Sequence, residues 1–406
     1  MSKVKMAHEP LFHLNKRTDI STIKAWIIRV SAFILAFFFS AVLTILLSGK
    51  TLDFFFKYFF EGLFGTEGSI WDLFYETALL LMIALAVTPA FKMRFWNIGG
   101  EGQILMGALG AAVIMNAMGA TAIDGVESNG LVIFLSLLLS MAFGMAWAVI
   151  PALFKAKWNT NETLLTLMMN YIAIRLVQYF TKAADPKGTG SLFFFDGVID
   201  GIAGNQSILP IIVSVVITVI MAIYFNYSKH GYEISVVGES ENTARYVGIN
   251  TKKVVIRTLV LCGVLSGIIG FLLVSAKNYS INMDAVGGRG FTGVLISWLG
   301  HFNPFAMGLC SFLYAFALRG SSNVGNMARM GDSYANIIVG ILFLFILATE
   351  FFINYKVTFK HSNVVKEFFQ KLIRKITKKE AVVANTTNDE AITTAIDSKE
   401  AQEEDK

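Results

Sequence analysis

The segment "NIGGEGQ", residues 97–103, places two adjacent glycines, a carboxylate and two amides between two long apolar stretches. An ionisable side chain at the centre of a membrane helix costs about 2.5–3.5 kcal/mol on insertion scales. Residues with such a cost usually face a polar pathway, where interrupted helices offer backbone N–H and C=O groups to a solute. The segment therefore supplies five candidate pathway residues: Asn97, Gly99, Gly100, Glu101 and Gln103.

A purely structural interpretation of the same segment is also open. Asn97 can cap the helix that follows, and Glu101 in the first turn gains from the positive end of the helix dipole. The glycines then permit a tight turn or close packing against a neighbouring helix. The two interpretations are compatible with each other.

The apolar stretches contain no histidine and no visible nucleophile–base or metal-binding constellation. The five histidines all lie outside them: His8, His13, His230, His301 and His361. Cys262 and Cys310 lie inside apolar runs, so neither a disulfide nor a thiolate metal site is expected. The chain contains no G-x-x-x-x-G-K-[ST] phosphate loop. The sequence predicts no catalytic, metal or cofactor site, and ATP hydrolysis would need another polypeptide.

The composition indicates a membrane protein. Of the 406 residues, 55% are hydrophobic and only 16% are charged, and the mean hydropathy is +0.59. Soluble domains carry about 25% charged residues, so this chain has too little polar surface for a water-facing globule. The polar start of the chain is too long for a signal peptide, and the first apolar run is expected to be a retained anchor.

Nine apolar runs are long enough to cross a bilayer, which takes about 20 residues in a helix. They cover 27–48, 70–90, 99–118, 130–154, 162–181, 208–227, 254–276, 304–320 and 333–355. A tenth stretch, "GGRGFTGVLISWLG" at 287–300, is too short to cross alone and too apolar for an exposed loop. It is predicted to be a half-helix held at membrane depth by the protein around it.

The positions of the basic residues predict the topology. With ten elements and the N-terminus in the cytoplasm, inside segments carry 23 Lys and Arg and outside segments carry eight. The prediction is an all-α polytopic membrane protein with both termini cytoplasmic. Its parts are a cytoplasmic segment (1–26), a transmembrane domain (27–355), a basic amphipathic surface helix (356–379) and a disordered acidic tail (380–406).

The two glycine pairs suggest an internal repeat. "GGEGQILMGALG" at 99–110 resembles "GGRGFTGVLISWLG", and the two run in opposite directions in this topology. An inverted repeat would place their starts on opposite sides of a central pathway, although chance similarity is an alternative. Asn170, Phe291 and Trp298 join the candidate pathway residues. Asn170 can instead bond neighbouring helices, and the two aromatics can instead face lipid.

A long polar loop, 228–256, lies on the cytoplasmic side in this topology. Ser240 can cap a short helix that runs through Val247, and Gly248 can end it in the left-handed conformation. The loop is either a plain connector or a rigid element that fits a socket on a cytosolic partner.

Four segments resemble a known family. "NIGGEGQILMGALGA", "NETLLTLMMNYIA" (161–173), "GESENTARYVGIN" (238–250) and "GGRGFTGVLISWLG" are similar to the signature segments of ABC-importer permeases of the branched-chain amino acid and simple sugar group. The form "NIGGEGQ" resembles the branch associated with nucleosides. The resemblance covers about residues 70–350, in order and at plausible spacing.

That resemblance implies a type II importer-like fold of about ten helices in a bacterial plasma membrane. It implies three protein partners, namely a cytosolic ATPase, a second permease subunit and an extracytoplasmic substrate-binding lipoprotein; no nucleic acid is expected. The loop between the sixth and seventh helices would dock into the ATPase. The expected contact residues are Gly238, Glu239, Ala244, Arg245, Tyr246 and Gly248.

Nucleosides are the expected substrates, with simple sugars as the alternative. An ion-coupled secondary transporter would share the repeat and the broken helices, but Glu101 is its only convincing ion-coupling carboxylate. A membrane-embedded enzyme would need a catalytic constellation that the apolar stretches lack. Arg175, within the fifth span, is expected to pair with Glu76 at the start of the second.

Overall fold

The computed structural model describes residues 12–17, 21–118, 130–331 and 333–359. Thirteen α-helices follow one another along this described part of the chain. They are α1 (Thr22–Ser48), α2 (Leu52–Phe64), α3 (Glu67–Lys92), α4 (Gly100–Met118), α5 (Gly130–Trp158), α6 (Glu162–Ala184), α7 (Ile208–Tyr227), α8 (Lys229–Glu239), α9 (Glu241–Tyr246), α10 (Thr251–Leu272), α11 (Arg289–Leu299), α12 (Pro304–Met327) and α13 (Ser333–Asn354). A π-helical segment, Leu273–Asn278, extends α10.

All nine predicted runs are helices, and the predicted half-helix is α11, with 11 residues. Seven of the described helices are long and apolar enough to cross a membrane. The other two predicted spans, α6 and α12, are helices of 23 and 24 residues but do not belong to the seven. The helical fold is thus confirmed, whereas the number of crossings stays a prediction.

Caps fix several helix starts. The side chain of Thr66 accepts from the N–H of Ser69 at the start of α3, and Asn161 accepts from Leu164 at the start of α6. Asn303 caps α12, whose first residue is Pro304, a residue suited to this position because it lacks an N–H. These polar residues end the connections between neighbouring apolar runs.

Helix α2 lies between the first two predicted spans, in a stretch for which the sequence predicts no element, and contains 13 residues. Thr51 caps α2, and Phe55, Phe59 and Leu63 recur every four residues on its buried face. This face packs on α12, where Phe59 lies against Gly320. The run of 13 residues is too short for a span, but one apolar face is enough for a packed helix.

The described residues form two compact units, one of residues 41–339 and one of the parts before 41 and after 339. In the second of these, strand β1 (Phe12–Lys16) pairs with β4 (Tyr355–Phe359), with Leu14 opposite Val357. The start of α1 and the end of α13 therefore lie at one face of this unit. Residues 355–359 are a strand, which occupies the first positions of the predicted surface helix (356–379); residues 360–406, with the rest of that helix and the predicted acidic tail, lie outside the described part.

The larger unit contains a tightly packed group of three helices, α4, α5 and α10. A methyl group added to Gly144 would lie 2.5 Å from the carbonyl oxygen of Gly263, and the reverse distance is the same. The hydroxyl of Ser140 lies 2.7 Å from the carbonyl oxygen of Gly107 and 2.6 Å from that of Gly267. Small residues and a buried hydroxyl thus hold these backbones close together, as is common in membrane helices.

Candidate functional site

The first glycine pair begins a helix inside the transmembrane region. Residues 93–99 leave the end of α3 and turn back, and α4 begins at Gly100 beside Val87. Val87 lies five residues before Lys92, the last residue of α3, so α4 begins about 8 Å from that end of α3. The segment is therefore a re-entrant connection, and its backbone polar groups need partners inside the protein.

Three predicted pathway amides supply those partners. The Asn97 oxygen accepts from the N–H of Gly99 (3.1 Å) and from the Gln103 amide (3.1 Å). The Asn170 oxygen accepts from the N–H of Gly102 (2.9 Å), and its amide donates to the carbonyl of Ile98 (3.0 Å). All three side chains are at most 2% exposed. Asn97 forms a turn before the helix rather than the expected cap, since the helix begins three residues later.

Glu101 joins the two glycine-rich helix starts. Its carboxylate accepts from the N–H of Gly288 (Oε1, 2.8 Å) and of Gly290 (Oε2, 2.7 Å), at the beginning of α11. Gly287 and Gly288 have φ of +62° and +78°, a left-handed conformation that suits glycine and turns these N–H groups toward the carboxylate. Glu101 is 6% exposed and lies in the first turn of α4. It therefore caps a helix 187 residues away.

The contact between the two helix starts is very close. A methyl group on Gly290 would lie 2.4 Å from the backbone nitrogen of Glu101. The repeat was expected to place the two starts on opposite sides of a pathway; they touch instead. The packing of the neighbouring helices is reciprocal. Helix α3, before the first glycine pair, packs on α11, which follows the second pair; helix α10, before the second glycine pair, packs on α4, which follows the first. This exchange is the arrangement that a two-fold repeat produces.

Arg289 fixes the other side of the half-helix. Its guanidinium donates to both carboxylate oxygens of Glu76 in α3, at 2.7 and 3.1 Å. The expected pairing of Glu76 with Arg175 is wrong, because Arg175 is exposed and donates to Gln178 (2.7 Å) on its own helix. Farther along, the hydroxyls of Thr88 and Ser297 are 2.8 Å apart, so α11 follows α3 in parallel.

A second group of charges lies next to this pair. The two oxygens of Asp72 bind Lys277 (2.9 Å) and Arg319 (2.8 Å). Sequence reasoning missed Asp72, Lys277 and Arg319 because each stands near the end of a predicted run, where charges are ordinary. The position of Arg289 within "GGRG" does not by itself indicate a partner for its side chain. The signal that could have found all of them is that a carboxylate inside an apolar run needs a partner.

The two predicted aromatic pathway residues are exposed in this single chain. Phe291 is 41% exposed and Trp298 is 48% exposed. Trp298 contacts Trp96, with ring centroids 5.3 Å apart, and lies near Phe91 and Phe302. Their surface is available to lipid, to a solute or to a second subunit.

The loop at 228–256 is a rigid pair of short helices. Ser228 caps α8, and Ser240 caps α9 by accepting from the N–H of Thr243, so the predicted capped helix is confirmed. Gly248 has φ of +83°, the predicted left-handed end. Arg257 at the start of α10 donates to Glu233 of α8 (2.7 Å), which lowers the pKa of this carboxyl and keeps the pair charged at neutral pH.

The expected ATPase-contact residues have two orientations. Ala244 is fully buried, in an apolar cluster with Ala90, Val254 and other residues from the ends of α3, α5 and α10. Gly238 is also buried, and an added methyl group there would meet the carbonyl of Lys92. Glu239, Arg245, Tyr246 and Gly248 face outward, and Tyr246 is 93% exposed. The first two therefore anchor the loop, and only the others are available for direct contact.

Residues 69–347 match the family described as branched-chain amino acid transport system / permease component. The chain belongs to this family. A guanosine ABC transporter permease of Bacillus subtilis is 27% identical over 322 residues, which are 76% of this chain and 90% of the relative. A glucose ABC transporter permease of Haloferax volcanii is 26% identical (68% and 76%), and a nucleoside ABC transporter permease of Lactococcus lactis is 24% identical (71% and 82%). No solved structure matches the chain.

Membership of this family, together with seven candidate spans, identifies a multi-pass plasma-membrane protein that serves as the permease component of an ABC transporter. Its curated relatives are transport components rather than enzymes. Among the described residues, no group of three or more His, Cys, Asp or Glu side chains is arranged to hold a metal ion. The contacts of the site among the described residues are packing contacts, hydrogen bonds and ion pairs within the protein.

Asn170→Ala separates the two interpretations of the buried amides. The substitution leaves the N–H of Gly102 and the carbonyl of Ile98 without their partners, so we expect the free energy of unfolding to fall by about 2 kcal/mol. Thermal unfolding of the purified protein in detergent without solute measures the loss. Asn226→Ala is the matched control, because Asn226 is exposed and its hydrogen bond among the described residues is to its own helix. Equal stability of the two variants would contradict the structural role.

Proposed function

We propose that this chain is the membrane-spanning subunit of an ATP-driven importer of nucleosides, with simple sugars as the second candidate substrate. The observation that carries the proposal is the match to a guanosine permease over 90% of that relative's length. A further relative is named as a nucleoside permease, and a glucose permease matches at similar identity, which keeps sugars open.

Both ends of the helical region are proposed to lie in the cytoplasm. The pairing of β1 with β4 supports a common face for the two ends. The excess of Lys and Arg on that side and on the α8–α9 loop supports the cytoplasm as this face. The loop is then exposed to a cytosolic ATPase.

The α8–α9 pair is proposed to be the lever on which the ATPase acts. Ala244 is buried among residues at the ends of three long helices, so a displacement of α9 is transmitted to α3, α5 and α10. Tyr246 and Arg245 project from the same short helix into solvent. A cleft of about 510 Å³ lies beside α9 and is bordered by Arg94, Lys155, Lys252 and Glu239. This surface offers a protruding ring, a cleft and mixed charge to a protein partner.

The remaining partners follow from the same proposal. A second permease subunit would complete the pathway against the exposed Phe291 and Trp298. An extracytoplasmic binding lipoprotein would deliver the solute to the outer face. The buried amides Asn97, Gln103 and Asn170 are proposed to hold the re-entrant segment in place, so that the backbone of Gly99 and Gly100 borders the pathway. The Glu101 carboxylate, held by the start of α11, is proposed to shape the pathway without binding the solute directly.

Ion-coupled secondary transport is less well supported. An ion-coupling carboxylate must exchange its partner for an ion during the cycle. Both carboxylate oxygens of Glu101 accept hydrogen bonds from backbone N–H groups at the start of α11. The Glu76 carboxylate forms an ion pair with Arg289. The phosphate-loop motif is missing from the sequence, so an ATP-driven cycle requires the separate ATPase.

Arg245→Glu tests the docking surface. Arg245 has a 60% exposed side chain and pairs with Glu241 within α9; reversing its charge changes the contact surface and creates repulsion with Glu241. We expect uptake of labelled guanosine, in cells that contain the complete transporter, to fall at least about tenfold, equivalent to 1.4 kcal/mol of coupling. The affinity of the binding lipoprotein for guanosine should stay the same.

Lys24→Glu is the control, because it makes the same charge change at an exposed position near the start of α1, before the first apolar run and outside the α8–α9 loop. Immunoblots establish equal amounts of the variants in the membrane. Normal uptake by the Arg245→Glu variant at equal abundance would contradict the docking role of α9.

A further inference from the structure

A cavity of about 210 Å³ lies in the larger unit, bordered by α3, the π-helical end of α10, the start of α11 and α12. Its charged lining consists of Asp72 and Glu76 from α3, Lys277, Arg289 at the start of α11, and Arg319 from α12. The Tyr75 ring also borders the cavity, with the Lys277 ammonium 4.7 Å from its centroid. Single charges near the ends of apolar runs are ordinary, but five charged side chains around one cavity between helices are uncommon and are typical of solute pathways.

The cavity is formed where helices are interrupted. Lys277 belongs to the π-helical segment that extends α10. Two residues later, Tyr279 has a φ of +50°, which lies in the left-handed region. Arg289 belongs to the first turn of the half-helix. π-helical turns are frequent at functional sites, and transporters bind solutes at repeat interfaces built from discontinuous helices. The lining of the cavity therefore has two features that are typical of a solute site, namely a π-helical turn and the start of an interrupted helix.

The hydrogen-bonding capacity of this lining is only partly used. Arg319 donates from one Nη to Asp72, and within the described residues its other N–H groups have no hydrogen bond. Lys277 donates to Asp72 and to Ser207 (3.1 Å), which leaves a third donor. Two carboxylates and three cations give the lining one net positive charge. The lining offers guanidinium and ammonium donors beside carboxylate acceptors. Its single net positive charge is too small to neutralise an anion with two charges.

Vicinal hydroxyl groups fit this combination. Each hydroxyl both donates and accepts, so a pair on adjacent carbons can accept from a guanidinium and donate to a carboxylate at once. The volume is below the roughly 300 Å³ at which pockets enclose whole drug-sized ligands, and it has room for a sugar ring. The base of a nucleoside would remain outside the cavity.

We propose that this cavity is a subsite for the vicinal hydroxyls of the transported solute, either the ribose ring of a nucleoside or a free sugar. The proposal rests on the proposed importer function and adds the part of the solute that the permease itself recognises. Asp72 and Glu76 lie about 8 and 14 Å along α3 from its first residue. This depth favours a small solute over a side chain of a docked binding protein.

The test uses the complete transporter reconstituted in liposomes, with the binding lipoprotein saturated in turn with guanosine and with 2′,3′-dideoxyguanosine. Arg319→Leu removes the unused donors and leaves Asp72 paired with Lys277. We expect guanosine transport to fall at least about tenfold, because a site built for hydroxyls loses its selectivity when the donors are removed. Transport of the dideoxy analogue should not change. Asp72→Asn, which keeps the side-chain shape, should also lower the ratio between the two substrates.

Arg175→Leu is the matched control, since it removes an exposed arginine whose described bond is to its own helix. An equal decrease for both substrates, or a higher requirement for the binding lipoprotein with both, would overturn the subsite and indicate a structural or docking role. If the wild-type transporter carries no nucleoside, the proposed nucleoside specificity fails by itself. Glucose and 2-deoxyglucose then form the pair that tests the cavity, and an unchanged ratio in Arg319→Leu overturns it.

Discussion

Glu101→Ala is expected to lower the free energy of unfolding by roughly 2–6 kcal/mol, because it leaves two buried backbone N–H groups of α11 without an acceptor at about 1–3 kcal/mol each. The half-helix spans only 11 residues and depends on its surroundings for its position. We also expect transport to fall close to background. Thermal unfolding in detergent and guanosine uptake in cells measure the two effects.

Glu67→Ala is the matched control for this variant. Glu67 also stands in the first turn of a long helix, but it is exposed, and such a change usually alters stability by less than about 0.5 kcal/mol. Glu101→Gln should be intermediate, since the amide retains one oxygen acceptor and turns an NH₂ group toward the second N–H. A Glu101→Ala protein as stable as Glu67→Ala would disprove the capping role.

Local patterns were sufficient to predict most of the helices, although not α2 or α8. The apolar runs determined nine of them, and the length of the tenth stretch correctly indicated a half-helix. The short helix α9 was also predictable, because Ser240 and Gly248 define its start and end by their own conformational preferences. These features depend on neighbouring residues, which a sequence displays directly.

Long-range partners could not be predicted in the same way. The position of Glu76 in an apolar run indicates that its carboxylate needs a cation, but it does not show whether that cation is Arg175 or Arg289. Which arginine pairs with Glu76 depends on how α3 and α11 pack. The similarity of the two glycine pairs indicated a repeat but not the contact between them. Because the Gly290 backbone touches Glu101, the first pair and the second pair form one site instead of two.

The positions of the buried amides change which polar residues are expected to contact the solute and which are expected to hold the protein together. The sequence alone predicts that polar residues in an apolar run face the solute. In this structure Asn97, Gln103 and Asn170 bond to the protein, while the cations near the ends of the runs border a cavity. A re-entrant backbone needs many internal partners, so most of the polar side chains around it are required simply to hold it.

The pair Glu76–Arg289 provides the second large effect. Removing one member of a buried ion pair costs about 3–5 kcal/mol, because the remaining charge is left without compensation. Glu76→Gln alone and Arg289→Gln alone should therefore both be strongly destabilised, and Arg289→Gln should also shift the half-helix away from α3. The pair is bidentate and the Glu76 side chain is only 8% exposed, but the Arg289 side chain is 33% exposed. Solvent therefore screens part of the interaction, and the losses should lie near the lower end of this range.

The double variant Glu76→Gln/Arg289→Gln should be more stable than either single variant. Two amides can hydrogen bond to each other and leave no isolated charge, so the coupling should recover about 1–3 kcal/mol in a double-mutant cycle. The exposed pair Arg245–Glu241 serves as the reference cycle, for which less than about 1 kcal/mol is expected. Thermal unfolding of all variants in one detergent gives both cycles. If the losses of the two single variants simply add, then Arg289 and Glu76 act independently, and the half-helix is held by Glu101 and backbone packing alone.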